Sequence, residues 1–415
     1  MKNLDIHNET RRKELVLDKL KKAKGVSDNN KSLIKEFSVI CSANGLTSSR
    51  IRKYVYTLTK IAKWLKKDFD KANKSDIVKL IQKIEKEDYT DWTKHDYKVV
   101  TKRFYKWLKG NDEVYPDEVR WIKPRIKSGS HKLPKELLTE DEIKRMVDSA
   151  DHIRDKALIL MLYESGCRIG EIASLRIKDV QFDKYGAVTV VSGKTGDRRV
   201  RLIGSAPLLS NWIDNHPTKD DSESPLWVSI GTRNKNKLIS YNNISMRIKD
   251  IAKKAGIKKN VHPHLFRHSR ATYLAKHLTE AQMKQIFGWV QSSDMAAVYV
   301  HLSGRDTDDA ILKLNGVVDE EREKPESKLK PKNCPRCKFV NSATSKFCQK
   351  CGVVLDIKTA MELDTRRDLI RQIDGERKKL IKELIKEPEF EKVVMKELKE
   401  YINSKEIVKI TAQNM

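Results

Sequence analysis

Leu160-Met161-Leu162-Tyr163-Glu164-Ser165-Gly166-Cys167-Arg168-Ile169-Gly170-Glu171-Ile172-Ala173-Ser174-Leu175 is the stretch on which the reading of this chain turns. Its first part is the end of a helix rich in Leu and Ile, which stops near Glu164 because Ser165-Gly166 turns the chain. A second helix then carries Arg168 and Glu171 three residues apart, on one face. Read alone, the pair is best explained as a surface arginine held by a glutamate.

Downstream, Ala187–Val191 and Arg199–Leu202 alternate as two strands, so Gly193–Asp197 forms a hairpin turn with Lys194 at its tip. The run Ser192-Gly193-Lys194-Thr195-Gly196-Asp197 is not a phosphate-binding P-loop, because Val188 stands where that motif needs glycine. Further on come His262, His264, Arg267 and His268. No carboxylate or cysteine lies close by, and an arginine sits among the histidines, so a metal cation is a poor guest. Arg267 and the histidines fit a phosphate-binding set at a helix start, where free N–H groups add to the attraction.

Cys334-x2-Cys337, ten residues, then Cys348-x2-Cys351 place four thiolates in two knuckles, which suits one tetrahedral zinc ion. Four sulfur ligands leave no open position, so this zinc is expected to be structural and to hold a segment too small for a core of its own. Cys41 and Cys167 read as buried small hydrophobes.

A chain of 415 residues is too long for one ordinary core, and two or three domains are expected. Lys plus Arg number 85 against 58 Asp plus Glu, a net charge of +27 that calls for a polyanionic partner, nucleic acid above all. No run of eighteen apolar residues exists, which excludes a spanning helix. The N-terminus reads as neither signal peptide nor anchor, and six cysteines are too few for a secreted disulfide scaffold. A cytoplasmic, nucleoid-associated protein is expected.

Residues 1–130 hold 32 Lys and Arg against 18 Asp and Glu and look all-helical. Ile51, Tyr54, Val55, Leu58, Ile61, Ala62 and Leu65 follow helical spacing behind the candidate caps Thr47, Ser48 and Ser49. A later helix through Tyr97, Val100, Phe104, Trp107 and Leu108 carries Lys98, Lys102, Arg103, Lys106 and Lys109 on its other faces. Those five are candidate phosphate contacts, and DNA binding should then depend steeply on salt. Boundaries are expected as an N-terminal extension (1–24), a helical DNA-binding domain (25–112), a basic linker (113–137), a second domain (138–316) opened by a capping box at Thr139–Glu142, a charged linker (317–332), the zinc segment (333–354) and a helical tail (355–415). In the tail, Leu369, Ile370, Ile373, Leu380 and Leu384 give a partial apolar stripe.

Taken together these pieces resemble the tyrosine recombinase (phage integrase) family. Gly166-Cys167-Arg168-Ile169-Gly170-Glu171 matches its first box and Lys194 its hairpin lysine. His264-Leu265-Phe266-Arg267-His268-Ser269-Arg270-Ala271-Thr272 matches its second box, Gly288-Trp289 its third position, and Tyr299-Val300-His301-Leu302 its nucleophile segment. Five elements in the family's order are far more specific than any one of them. The resemblance covers residues 25–315, and the stretch from His301 to Leu312 looks most like integrases of archaea and their viruses. It implies a multidomain, mainly α protein with a SAM-like core-binding domain, an α+β catalytic domain holding a small hairpin sheet, and beyond these the zinc ribbon and helical tail. It also implies double-stranded DNA attachment sites as substrate, a homo-tetramer on two sites and a monomer or dimer off DNA, with accessory DNA-bending or directionality proteins as further partners.

By this resemblance Tyr299 is the nucleophile that forms a 3′-phosphotyrosyl bond, Arg168 and Arg267 fork onto the phosphate, and Lys194 is the general acid. His264 assists proton transfer, and Trp289 touches the scissile phosphate or packs against the tyrosine segment. Glu171, His268 and His301 support them. Two permanent guanidinium charges remove the need for a catalytic metal, and no nucleotide is implied. The chain departs from the family's pattern at Trp289, where many members have histidine, at Phe266, where leucine is commoner, and in the ten-residue step from Trp289 to Tyr299, one longer than expected. An integrase of a mobile element is the expected role. A chromosome-dimer resolvase of the Xer type, a relaxase using the same tyrosine chemistry and a catalytically silent DNA-binding regulator are the alternatives.

Overall fold

Six helices open the chain: α1 (Glu9–Lys21), α2 (Asp28–Ala43), α3 (Ser48–Leu65), α4 (Lys74–Lys86), α5 (Asp91–Lys109) and the single turn α6 (Asp117–Arg120). In this computed structural model, residues 4–110, 113–126, 136–193, 195–302, 315–316, 327–384 and 386–413 are described. The chain forms two compact units, Met1–Lys324 and Pro325–Met415. Helical spacing in α3 and α5 turns one face of each inward, so that Ile51, Leu58, Ile61, Val100 and Phe104 meet Ile34 and Phe37 of α2 in one core. Phe104 is fully buried between Phe69 and Phe37, with ring centroids 4.7 and 5.3 Å away. Tyr97, Phe104, Tyr105 and Trp107 of α5 are therefore packing residues. In the stretch 1–24, expected as a separate extension, α1 joins this domain: it lies along α3 and buries Leu20 in the same core.

The capping box at Thr139 and Glu142 forms as expected and opens α7 (Glu140–Ser149). Such a cap contributes about 1 kcal/mol. Next is α8 (Ile153–Ser165), buried from Ala157 to Tyr163 and covered by α7, by α10 (Ala206–Asp214) and by α12 (Pro263–Leu274). Between α8 and α10 run the short α9 (Ile169–Ala173) and an antiparallel sheet of β1 (Val180–Asp183), β2 (Gly186–Gly193) and β3 (Gly196–Leu202), in the order β1-β2-β3. The hairpin pairs Gly193 with Gly196 at its closed end. β2 and β3 run longer than the alternation predicts, and β1 was not foreseen, because its burial pattern of one buried residue followed by three exposed ones leaves no alternation to read. Further helices are α11 (Tyr241–Lys254), α13 (Glu280–Phe287) and α14 (Met295–Leu302).

The second unit pairs two-residue strands, β4 (Lys332–Asn333) and β5 (Val340–Asn341), and continues into α15 (Ile357–Leu384) and α16 (Pro388–Gln413). The apolar stripe expected in the tail lies on α15, with Leu369, Ile370, Ile373 and Leu380 all exposed. No helix among the described residues is long and apolar enough to cross a membrane.

Candidate active site

Gly166 ends α8 in the left-handed region at φ 58°, and a Cβ there would come within 2.4 Å of Phe287. Only glycine lets α8 end against α13 in this way. The turn delivers Arg168 as the cap of α9. Its backbone N–H donates to Glu171 Oε2 at 2.8 Å and its Nη1 to Oε1 at 2.9 Å. The pair is not the surface ion pair that the segment alone implies. Glu171 is buried and takes a second arginine, Arg198 of β3, whose Nη2 donates to Oε2 at 2.6 Å. Burial raises the Glu171 pKa, but the bonds from Arg198 and Arg168 outweigh it and hold the carboxyl below its usual range.

Arg267 lies one turn into α12, is 3% exposed, and spans two elements: Nη1 donates to Gly166 O at 3.0 Å and Nη2 to Phe287 O at 2.7 Å. Its guanidinium also lies 5.0 Å from the Phe287 ring centre and 5.5 Å from that of Trp289. Burial, then the charge of Arg168, lowers its pKa to about 10, so it stays charged at neutral pH while short of negative partners. This is a pocket with unmet positive potential.

Gly288 (φ 58°) ends α13 and turns Trp289 back over Phe287, with stacked rings 4.9 Å apart. Tyr299, on α14, stacks on the other face of Trp289 at 5.4 Å and 6°. The ten-residue step from Trp289 is taken up by a turn in which Ser293 N donates to Val290 O. Tyr299 is 3% exposed, and its hydroxyl lies 2.6 Å from His268 Nδ1. Burial raises the phenol pKa and Arg267 opposes the rise. His264 packs edge-on against His268 at 4.6 Å and keeps an exposed edge. The protein around it, then Arg267, lowers its pKa, so it is neutral at pH 7. Phe266, one of the departures, is fully buried.

Arg168, Glu171, His264, Arg267, His268, Trp289 and Tyr299 thus form one contiguous set. Lys194 lies outside the described residues, as does the side chain of His301. Gly193 and Thr195 bring the turn to the set: a Cβ on Gly193 would meet Glu171 at 2.5 Å, and Thr195 Oγ1 donates to Gly288 O at 3.1 Å. Sequence reasoning missed Arg198. Its signal was the strand alternation, which puts Arg198 on the inward face with Val200 and Leu202, where an arginine needs a buried partner.

The five basic residues of α5 are less available than expected. Lys98 pairs with Glu85, and Lys102 donates to Ile122 O at 3.0 Å with Tyr115 below it. Arg103 bonds Tyr54 Oη, and Lys106 lies over the Tyr115 ring. Lys109 holds Ala72 O and Glu118. Phosphate contact at any of them competes with an existing contact. A different basic surface is a cleft of about 1130 Å³ between α1 and α3, lined by Arg12, Lys19, Arg50, Arg52, Lys53 and Tyr56. Arg52 pairs with Glu9 and Lys53 with Asp96, whereas Arg12, Lys19 and Arg50 have no ion-pair partner among the described residues.

In the second unit the four cysteine sulfurs lie within 4.8 Å of one another, with Cys334–Cys351 and Cys337–Cys348 at 3.5 Å. Tetrahedral zinc–thiolate bonds put sulfurs about 3.8 Å apart, so the donor set fits one structural zinc. The residue after each knuckle, Lys338 and Gly352, is left-handed (φ 61° and 72°), and each returns its N–H to the first cysteine's carbonyl. Few apolar residues other than the cysteines are buried around them, Leu329 and Ala343 among them. Chelation or Cys337→Ser should therefore unfold residues 327–356, seen as lost hydrogen-exchange protection, while the melting of the first unit is unchanged. Equal protection with and without metal would refute a structural zinc. Among the described residues these cysteines are the one grouping suited to a metal.

Residues 136–305 match the family model described as the phage integrase family. The tyrosine recombinase XerA of Pyrococcus horikoshii is 31% identical over 246 residues, 59% of this chain and 80% of that protein. XerA of Pyrococcus furiosus is 29% identical over 286 residues, 68% of this chain and 94% of that protein. Among solved structures, a lambda integrase dimer bound to a core site matches with a TM-score of 0.53 at 15% identity, covering 66% of this chain and 78% of that one. XerH bound to its palindromic substrate matches at 0.52 and 17%, covering 76% and 98%. Those two establish likeness of fold, and the sequence match establishes kinship: the chain belongs to the tyrosine recombinase (phage integrase) family.

Proposed function

We propose that this chain is a site-specific DNA recombinase in which Tyr299 attacks a backbone phosphate. The phosphotyrosyl bond forms as the P–O5′ bond breaks, leaving the protein on the 3′-phosphate and freeing a 5′-hydroxyl. The observation that carries this reading is the contact set of Tyr299, Trp289, Arg267 and His268, which joins a buried phenol to a guanidinium short of negative charge. Arg168 and Arg267 hold the non-bridging oxygens and stabilise the added charge, His268 and His264 take up the phenol proton, and Lys194 protonates the leaving oxygen. The ester keeps the bond energy for rejoining, so a 5′-hydroxyl from a second duplex completes exchange. Four protomers on two sites, passing through a Holliday junction, are the assembly this chemistry needs.

Integration or excision of a mobile element is the favoured role over chromosome-dimer resolution. The two XerA relatives match over 80% and 94% of their own lengths but only 59% and 68% of this chain, and the zinc unit and helical tail lie beyond the family-model match. The test is supercoiled plasmid carrying one or two copies of the candidate attachment region, incubated in excess EDTA and stopped with detergent. Adducts on either plasmid and exchange only with two sites are expected. Relaxation without exchange would favour a relaxase, and binding without adduct a regulator.

For DNA contact we favour the α1–α3 cleft over the α5 lysines. Replacing Arg12, Lys19 and Arg50 by Gln should flatten the plot of log affinity against log salt by about 0.9 per lost contact. Lys102→Gln and Lys109→Gln should instead lower the melting temperature at constant slope. The reverse pattern would return the contacts to α5.

A further inference from the structure

Arg198, on β3, joins the stretch Cys167–Glu171 to the end of α13. Nε donates to Ile286 O at 2.8 Å, and Nη2 donates to Glu171 Oε2 at 2.6 Å and to Cys167 Sγ at 3.2 Å. Its side chain is 9% exposed. Nη1 is buried with no hydrogen-bond partner among the described residues. A Cβ on Gly288 would lie 2.9 Å from Nη1 and one on Gly193 3.4 Å, so this nitrogen faces the residues just before Trp289 and Lys194. A buried charged donor left without an acceptor is costly, and its persistence where the hairpin meets the site points to a role in the site.

We propose that Arg198 is a positioning residue that holds the β2–β3 hairpin, the element whose sequence carries Lys194, against Glu171 and the end of α13. The inference rests on the reading of Lys194 as the acid that protonates the leaving 5′-oxygen. Glu171 keeps two bonds of its own to Arg168, so what Arg198 adds is the tie between the hairpin and the end of α13 through Ile286 O.

The test uses a duplex carrying the cleavage site mapped from the adduct, made with either oxygen or sulfur at the bridging 5′ position. A thiolate leaves without protonation because a thiol is far more acidic than an alcohol, so sulfur repairs the loss of the acid and nothing else. Lys194→Ala should be slow on oxygen and restored on sulfur, and Arg168→Ala slow on both. Arg198→Ala and Arg198→Lys should follow Lys194→Ala, about 100-fold slow on oxygen and within about tenfold of wild type on sulfur, with DNA affinity unchanged. Arg198→Lys keeps a cation opposite Glu171 and carries the test if the alanine variant does not fold. Arg198 variants equally slow on both substrates, or as fast as wild type on oxygen, would overturn the proposal. Failure of sulfur to restore Lys194→Ala would instead overturn the reading of Lys194, a separate result that takes the proposal with it.

Discussion

Tyr299→Phe is expected to abolish the covalent protein–DNA adduct while leaving DNA affinity within about twofold of wild type, because one hydroxyl is removed and the cationic surface is untouched. The ring keeps its place: it stacks on Trp289 at 5.4 Å and joins the small core of Ala271, Ala275, Met283, Phe287 and Ala296. What goes is the oxygen 2.6 Å from His268 Nδ1, a loss of about 1 kcal/mol in stability. Stability and chemistry therefore separate cleanly in this variant. The measurement is the detergent-stable adduct in EDTA, with melting temperature and filter binding as controls. An adduct that persists at the wild-type level would put the nucleophile elsewhere. Because burial raises the phenol pKa, Tyr299 is protonated at neutral pH, and the buried ring cannot receive DNA where it lies. With Tyr299 as the proposed nucleophile, proton removal would accompany the arrival of the phosphate, and the oxygen would have to become exposed.

The residues of the candidate site were legible in the sequence because they sit in short boxes of fixed residue type and order. Arg168, Arg267 and Tyr299 are recognisable from their boxes, and the capping box at Thr139 from a purely local rule. Side-chain partners were not legible, since they depend on elements far apart in the chain. Lys109 reads as a free cation on a helix face, yet its partners are Ala72 and Glu118, brought there by the packing of α4 and α6 on α5. Arg198 was overlooked for the opposite reason: it stands beside Arg199 and Arg201 in an apparently uniform basic strand, and only the strand's alternation separates the inward arginine from its exposed neighbour. Residues 1–24 look detached in sequence because α1 has one fully buried residue, Leu20, and a single anchor leaves no periodic pattern. The cysteine cluster was legible, as four cysteines at metal-ligand spacing are brought within 4.8 Å of one another.

Arg267→Lys should preserve the charge and lose about 100- to 1000-fold in cleavage, the loss growing as pH rises from 7 to 9. The arginine reaches Gly166 O and Phe287 O with two nitrogens. A lysine has one, so at least one buried carbonyl loses its donor, at about 1–3 kcal/mol. The charge itself then becomes conditional. Burial and Arg168 bring the arginine down from its usual value to about 10, which still leaves it cationic throughout the working range. The same surroundings acting on a lysine, whose ordinary pKa is about 10.4, would lower it towards the working range. A base with its pKa lowered is charged below that value and neutral above it, so the variant loses its cation as pH climbs while wild type does not. The measured quantity is the ratio of adduct-forming rates, wild type over variant, at each pH, which cancels the ionisation of Tyr299 common to both. A ratio that rises severalfold between pH 7 and 9 supports a buried, phosphate-directed charge at Arg267. A flat ratio would mean that the pocket is open enough to solvate a lysine, and that Arg267 acts through its fork of hydrogen bonds on the turns of Gly166 and Phe287 rather than through its charge.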